Sequence, residues 1–294
     1  MNKPQIHILF IFFIFTILAH SSERVSKIGY LSEVYSDLKY KNSRIALKIW
    51  IEDISKDAGI NIDLLTYNKY TELVDDYTKG KIQILALNPY FYLLDTDKIN
   101  DSTRVIWNLQ KDTEKVLQKI YLVVNKESNI NSFPDLINKK ILINKNNYIG
   151  KIFLEKLYFE NLKNNSTDFM SKVDLLEKGT VLLKTFFGKY DACIIDSYEY
   201  DVMMELNPAL SKKLKILESS DYILNNHMIL FNKNNHPKNM EIYNNTLNRF
   251  LKDTRKNHLF DLIKINKIRV LDPSDLDKLK KVFSEYKKLK KKYN

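Results

Sequence analysis

The residues best placed to recognise a small molecule sit where short apolar runs stop. Asn88-Pro89-Tyr90 closes the run Ile82 to Leu87, and Asp196-Ser197-Tyr198 closes Ala192 to Ile195. Each run follows a Gly-Lys pair, Gly80-Lys81 and Gly188-Lys189, and in each a Tyr stands two positions beyond the polar residue that ends the run. An apolar run bounded by Gly and Pro reads as a buried strand of a parallel sheet. Open α/β sheets bind ligands at the carboxyl ends of their strands. An amide, a carboxylate and two phenols at such ends can hydrogen-bond, carry charge and stack. The Asp196 carboxylate would repel a plain anion and favour a zwitterion or a cation.

Bond-making chemistry has no comparable signature. G-x-S-x-G, H-E-x-x-H, the P-loop and G-x-G-x-x-G are all missing. The histidines His7, His20, His227, His236 and His258 are scattered, and no Cys/His cluster has metal-ligand spacing. The expectation is a protein that binds rather than catalyses, with no metal and no cofactor.

The elements that must position these residues follow in order. Val25 to Leu31 reads as a strand, Ser32 to Lys41 as a polar loop, and the stretch with Ile45, Leu47, Trp50, Ile51 and Ile54 as a helix closed by Gly59. Ile60 to Tyr67 is a strand, and Tyr70 to Lys79 a helix with Leu73, Val74 and Tyr77 on one side. Gly80 leads into the first of the two runs. This is β-α-β-α-β, the unit of a doubly wound sheet. Asp95 to Ser102 reads as a loop, Thr103 to Leu109 as a strand, and Val116 to Val124 as a run that crosses between lobes.

The pattern then restarts. Lys140 to Asn144 is a strand, Lys145 to Gly150 a polar loop, Lys151 to Leu162 a helix, and Asp168 to Leu176 contains a strand. Val181 to Phe187 is helical, and Gly188 opens the second run. The order of elements repeats without strong sequence identity. The chain returns to the first lobe between Ser220 and Met228, and two crossings make a hinge.

Lys3 followed by the apolar Ile6 to Leu18 and the small residues Ala19 to Ser21 reads as a secretory signal cleaved near Ser21. The mature protein is then exported, to the periplasm. The division expected is a signal over 1–21, lobe 1 over 22–116, lobe 2 over 117–220, a return to lobe 1 over 221–271, and a Lys-rich C-terminal helix over 272–294. Cys193, inside an apolar run, reads as a small buried hydrophobe. The formal charge is +11, much of it from Lys278, Lys280, Lys281, Lys287, Lys288 and Lys290 to Lys292. That run contains no arginine of the kind nucleic-acid sites use. A solvated terminal helix is therefore favoured over contact with anionic lipid or nucleic acid.

Several stretches together resemble a family. They are Ile28 to Leu31, Leu85 to Tyr90, Tyr121 to Ile130, Phe133 to Ile141, and Gly188 to Ala192 with its strand. In this order they resemble the type II periplasmic substrate-binding proteins, in the phosphate/phosphite/phosphonate branch that serves ABC transporters. The resemblance implies an α/β fold of two lobes. Each lobe would be a doubly wound, mostly parallel sheet, joined by two hinge crossings. It implies a monomer that clamps a small anionic or zwitterionic ligand and delivers it to a membrane permease, with no nucleic acid involved. The alternative is a periplasmic sensory module that reports its closed state to a membrane kinase or cyclase.

The candidate ligand-binding residues are Tyr30, Ser32, Tyr35, Asn88, Pro89, Tyr90, Asn146, Asn147, Tyr148, Gly150, Lys178, Asp196, Tyr198 and Asn225. Helix N-termini among them would suit an anion. In the resembled branch the loop matching Asn146 to Gly150 is rich in Ser and Thr; here only Gly150 keeps the close-approach feature. Lys178 stands near a Ser-His of the branch and would act as a point charge. Asp196 matches an acidic position that in some members meets a ligand amino group.

Overall fold

The computed structural model describes residues 25–32, 43–111, 117–177, 180–224, 227–235, 237–252 and 265–294. The signal segment, most of the loop after Ser32, Tyr35, Lys178 and Asn225 lie outside the described residues.

The first lobe grows from β-α-β units. Strand β1 (Ser26–Leu31) is followed by helix α1 (Ser43–Ala58), strand β2 (Ile62–Tyr67), helix α2 (Tyr70–Thr78) and strand β3 (Ile84–Leu87). Helix α2 buries Leu73, Val74 and Tyr77, one face at helical spacing. Burying Leu73 and Val74 contributes roughly 1.5–3 kcal/mol each. Helices α3 (Pro89–Leu94) and α4 (Thr96–Ser102) precede strand β4 (Thr103–Lys111). Helix α4 corrects the reading of Asp95 to Ser102 as a loop. Its single apolar anchor, the fully buried Ile99, gives no periodicity to read. Tyr92 Oη donates to Asn100 Oδ1 at 3.0 Å and Thr96 Oγ1 donates to the Tyr92 carbonyl at 3.1 Å, which hold the short helix in place.

The chain then enters a second sheet. Strand β5 (Ile120–Asn125) leads through single turns at Lys126–Ser128 and Phe133–Leu136 to strand β6 (Ile141–Asn144). Helix α5 (Tyr148–Leu162), helix α6 (Thr167–Ser171), strand β7 (Asp174–Leu176), helix α7 (Val181–Phe186) and strand β8 (Ala192–Asp196) come next. Helix α8 (Ser197–Leu206), helix α9 (Leu210–Lys213) and strand β9 (Leu214–Ser219) end this lobe. Strand β10 (Met228–Asn232), helix α10 (Pro237–Lys252) and strand β11 (Ile265–Val270) rebuild the first sheet, and helix α11 (Pro273–Tyr293) follows.

Among the described residues the sheets run β2-β1-β3-β10-β4-β11 and β7-β6-β8-β5-β9. In the first, β1 pairs parallel with β2 and β3, and β10 is antiparallel to β3 and β4. In the second, β6 pairs parallel with β7 and β8, and β5 is antiparallel to β8 and β9. The lobes match strand for strand: β1 with β6, β2 with β7, β3 with β8, and β10 with β5. Both sheets are mixed. The β-α-β half is parallel, and the strands next to the crossings are antiparallel.

The Gly-Lys repeat has one cause in both lobes. Gly80 and Gly188 take the left-handed conformation at φ +72 and +70. The Lys81 N–H reaches back to the Asp76 carbonyl at 2.8 Å, and the Lys189 N–H to that of Lys184 at 3.0 Å. These bonds close helices α2 and α7 with the glycine-dependent motif that turns a chain out of a helix. Each closure delivers the chain into a central strand, β3 or β8.

Helix α11 has a buried side. Leu276, Leu279, Phe283 and Tyr286 are at most 8 % exposed, and the helix lies on α5 of the second lobe. Most of its lysines are exposed, with Lys280 the least exposed and Lys290 reaching back to Glu155. The contact is pinned by Glu155, whose side chain is 10 % exposed. Its Oε2 accepts from Tyr286 Oη at 2.5 Å, its Oε1 accepts from Ser166 Oγ at 2.7 Å, and Lys290 Nζ lies 3.2 Å from both oxygens. Burial, and then the neighbouring Glu155 carboxylate, pushes the Tyr286 phenol far above its ordinary range, so it remains a donor. Glu155→Ala should lower the unfolding free energy by roughly 2–3 kcal/mol, because two buried hydroxyls lose a charged acceptor. Tyr286→Phe should cost about 1 kcal/mol. Urea denaturation of both variants checks this; wild-type stability in Glu155→Ala would show that the helix is held elsewhere.

Candidate functional site

The junction from strand to helix is short at each site loop, and a polar side chain at its end caps the helix. Asn88 directly follows β3 and caps α3: its Oδ1 accepts from the Tyr90 N–H at 2.8 Å. Pro89 occupies the first helical position, where a missing N–H costs nothing. Asn147 caps α5, its Oδ1 accepting from the Gly150 N–H at 2.7 Å. Asp196 ends β8 and caps α8, its Oδ1 accepting from the Glu199 N–H at 2.8 Å. These are the short polar side chains that N-caps prefer.

The caps consume backbone donors. In α3 the Phe91 and Tyr92 N–H groups both go to the Asn88 carbonyl, at 3.0 and 3.3 Å. With Pro89 and the cap, no amide of that first turn is left for a ligand. In α5 the Tyr148 N–H goes to the Asn146 carbonyl at 2.9 Å and the Lys151 N–H to that of Asn147 at 3.0 Å. The Ile149 N–H alone in that turn has no partner among the described residues. The expectation of helix N-termini rich in unused amides therefore holds at one amide of α5 and fails at α3. The reason is that the side chains ending the strands turn back on their own helices.

Two loops from opposite lobes meet. The rings of Tyr90 and Tyr148 stack with centroids 4.8 Å apart and planes 11° from parallel. Phe91 meets Tyr148 edge-on at 5.1 Å, and Tyr70 stacks on Phe91 at 5.4 Å. Lys151 Nζ lies 5.0 Å from the Tyr148 ring centroid, within cation–π range. Tyr70 Oη donates to the Phe91 carbonyl at 2.8 Å. Burial first, then Asp95 beside it, drives the Tyr70 phenol well up from its usual range.

The remaining candidates are placed as follows. Tyr30 is buried in the first lobe, its hydroxyl bonded to that of Thr66. Ser32 is exposed just past β1. Asn146 donates its N–H to Asn144 Oδ1 at 3.2 Å. Tyr198 is half-buried in the first turn of α8. Asp196 pairs in register with Ile120, the first residue of β5, and so sits beside the crossing. The Ser197 N–H donates to the Lys119 carbonyl at 2.8 Å, tying α8 to that crossing.

Gly150 lets the cap approach. A Cβ there would lie 2.6 Å from Asn147 Oδ1 and 2.7 Å from its Cγ. Sequence reasoning named neither Phe91, Tyr70 nor Lys151. The aromatic run Tyr90-Phe91-Tyr92 directly after Asn-Pro was the signal for Phe91. Among the described residues no His, Cys, Asp and Glu cluster is arranged to hold a metal ion. No described helix is long and apolar enough to cross a membrane.

Two mixed sheets joined by crossings, with strand-end loops facing one another, define a two-lobed type II periplasmic binding protein. The chain belongs to the family of periplasmic substrate-binding proteins of phosphonate ABC transporters, whose model matches residues 36–276. It is an exported protein that holds a small ligand for a membrane permease, and its family is one of binding proteins rather than enzymes. No curated protein matches it in sequence. Solved structures match it in fold. A Xanthomonas citri protein bound to ATP has a TM-score of 0.60 at 13 % identity, covering 92 % of this chain and 99 % of that one. The binding component of an ABC phosphonate transporter from Pseudomonas aeruginosa has 0.59 at 13 %, covering 91 % and 88 %. A Prochlorococcus marinus protein in complex with methylphosphonate has 0.62 at 13 %, covering 90 % and 99 %.

Gly150→Ala should displace the Asn147 cap and cost about 1 kcal/mol, the usual value of a lost N-cap. Asn147→Asp should change stability by only a few tenths, since Asn and Asp cap about equally. Thermal or urea unfolding of the two variants distinguishes the cap from a purely local effect of bulk at Gly150.

Proposed function

We propose that the chain clamps an organic phosphonate- or phosphate-like ligand between its lobes, anionic or zwitterionic, for uptake by an ABC transporter. The observation that carries this is the meeting of Asn88 to Tyr90 and Asn146 to Gly150 across the cleft, through rings 4.8 Å apart. A ligand held there touches both lobes and so favours their closed arrangement by its differential contacts. The family's phosphonate substrate class and the methylphosphonate complex of the Prochlorococcus marinus protein support the ligand chemistry.

Each loop has a part in this reading. Ile149 N–H and the Lys151 ammonium face the anionic group. Tyr90 and Tyr148 cover the organic part, and Tyr30, Ser32, Tyr35, Asn88, Pro89, Asn146, Lys178, Tyr198 and Asn225 complete the loops. Asp196 serves two ends: Oδ1 caps α8, while Oδ2 has no bond among the described residues and is available to a ligand amine. The lobe limits are those read from the sequence, with the signal removed near Ser21. The N-terminal sequence of the exported protein tests the cleavage site.

A thermal-shift panel tests the ligand, because a bound ligand raises apparent stability by mass action. The mature protein should be stabilised by at least one of phosphate, phosphite, methylphosphonate and 2-aminoethylphosphonate. Asp196→Asn, which keeps a capping oxygen and removes the charge, should weaken an aminophosphonate about tenfold, one charge-assisted hydrogen bond's worth. It should leave methylphosphonate unchanged. Equal affinity of both proteins for the aminophosphonate would remove Asp196 from the site.

A further inference from the structure

The two loops that meet across the cleft offer few unused backbone amides and several aromatic faces. A compact tetrahedral anion is held by many short hydrogen bonds from fixed donors. The first turn of α3 offers none from its backbone, and the first turn of α5 offers the Ile149 N–H. Lys151 Nζ already donates to the Lys145 carbonyl at 2.6 Å. Against this, Tyr70, Phe91, Tyr148 and Tyr90 form a run of ring contacts in which the second lobe contributes Tyr148 and the first lobe the others.

Tyr148 holds the key position. It is the first residue of α5, and the Asn146-Asn147 turn before it sets its ring against Tyr90. A ligand that enters between these loops separates the two rings. An alkyl group returns no π face to either of them. A flat unsaturated ring returns one to each, in the offset-parallel geometry that aromatic pairs prefer.

Resting on the proposal that this cleft binds an anionic organic ligand, we propose that Tyr148 and Tyr90 select for a flat ring. The ligand would carry an aromatic or heteroaromatic ring next to its phosphonate or phosphate. The ring lies between the two tyrosines, and the anionic group is directed to the Ile149 N–H and the Lys151 ammonium.

Isothermal titration of the mature chain with inorganic phosphate, methylphosphonate and phenylphosphonate tests this. Phenylphosphonate should bind about tenfold more tightly than methylphosphonate, the order expected for one recovered aromatic contact. Tyr148→Leu, which keeps apolar bulk without a π face, should abolish that preference, so that phenylphosphonate and methylphosphonate bind the variant within about twofold of each other. Tyr148→Ser serves as a second variant, with circular dichroism confirming the fold of each. Methylphosphonate binding as tightly as phenylphosphonate to the wild-type protein would overturn the ring selection and leave the phosphonate reading standing. An unchanged preference in both Tyr148 variants would overturn it too. Binding of none of the three anions would overturn the phosphonate reading itself, and the ring selection with it.

Discussion

The site depends on how a chain passes from a strand into a helix without a spacer. At Asp196 a single residue completes the sheet pairing and becomes the helix cap, and at Asn88 the cap directly follows Leu87, the last residue of its strand. Its side chain must satisfy an amide that the new helix leaves open, worth about 1 kcal/mol. That bond fixes the first turn, and the first turn fixes where the next aromatic points. Tyr90 and Tyr198 both lie two residues past their caps, and Tyr148 lies one past Asn147. Rigid presentation of the tyrosines thus comes at the expense of amides that would otherwise meet an anion. This trade leaves side chains, more than backbone amides, exposed at the ends of these strands.

The two lobes express one plan, and that much was legible. Gly80 and Gly188 mark helix ends that only a left-handed residue closes well, and the apolar runs after them have nowhere to go but a central strand. Local chemistry decides these features, so local sequence reveals them. The direction of β10 in the first sheet and of β5 in the second is different. Strand pairing is set by crossings many residues away, and an apolar run looks the same in either direction. Helices as short as α4 and α6 also escape, because one turn anchored by Ile99 or by Phe169 has no period.

At the site, position was legible and orientation was not. The sequence places Asn88, Asn147 and Asp196 at strand ends, where ligands and caps compete for the same side chains. Nothing in the residue types says which will win. Asn and Asp are good at both. Gly150 shows the same ambiguity: it reads as room for a ligand, yet the atoms that fill the room belong to Asn147. Phe91 and Tyr70 were hidden for another reason. Aromatics next to a strand end are more often core, and it takes the other lobe's Tyr148 to turn one edge of that core into a surface.

Helix α11 adds a constraint that a two-crossing hinge lacks. It springs from β11 of the first sheet and docks on α5 of the second lobe, so it spans the lobes a third time. Any opening of the jaws must either lift α11 from α5 or bend the chain between β11 and α11. Lifting would strip Glu155 of Tyr286 and Lys290 and expose Leu279, Phe283 and Tyr286. Bending works on the turn at Leu271-Asp272, which is held by the Leu271 N–H to the Ile106 carbonyl and by the Arg269–Asp275 pair, whose guanidinium end is the exposed one. A surface pair of that kind is worth about 1 kcal/mol or less, well below the cost of unpairing a buried carboxylate. The contact with α5, built around a buried carboxylate, is therefore the stronger of the two attachments of α11.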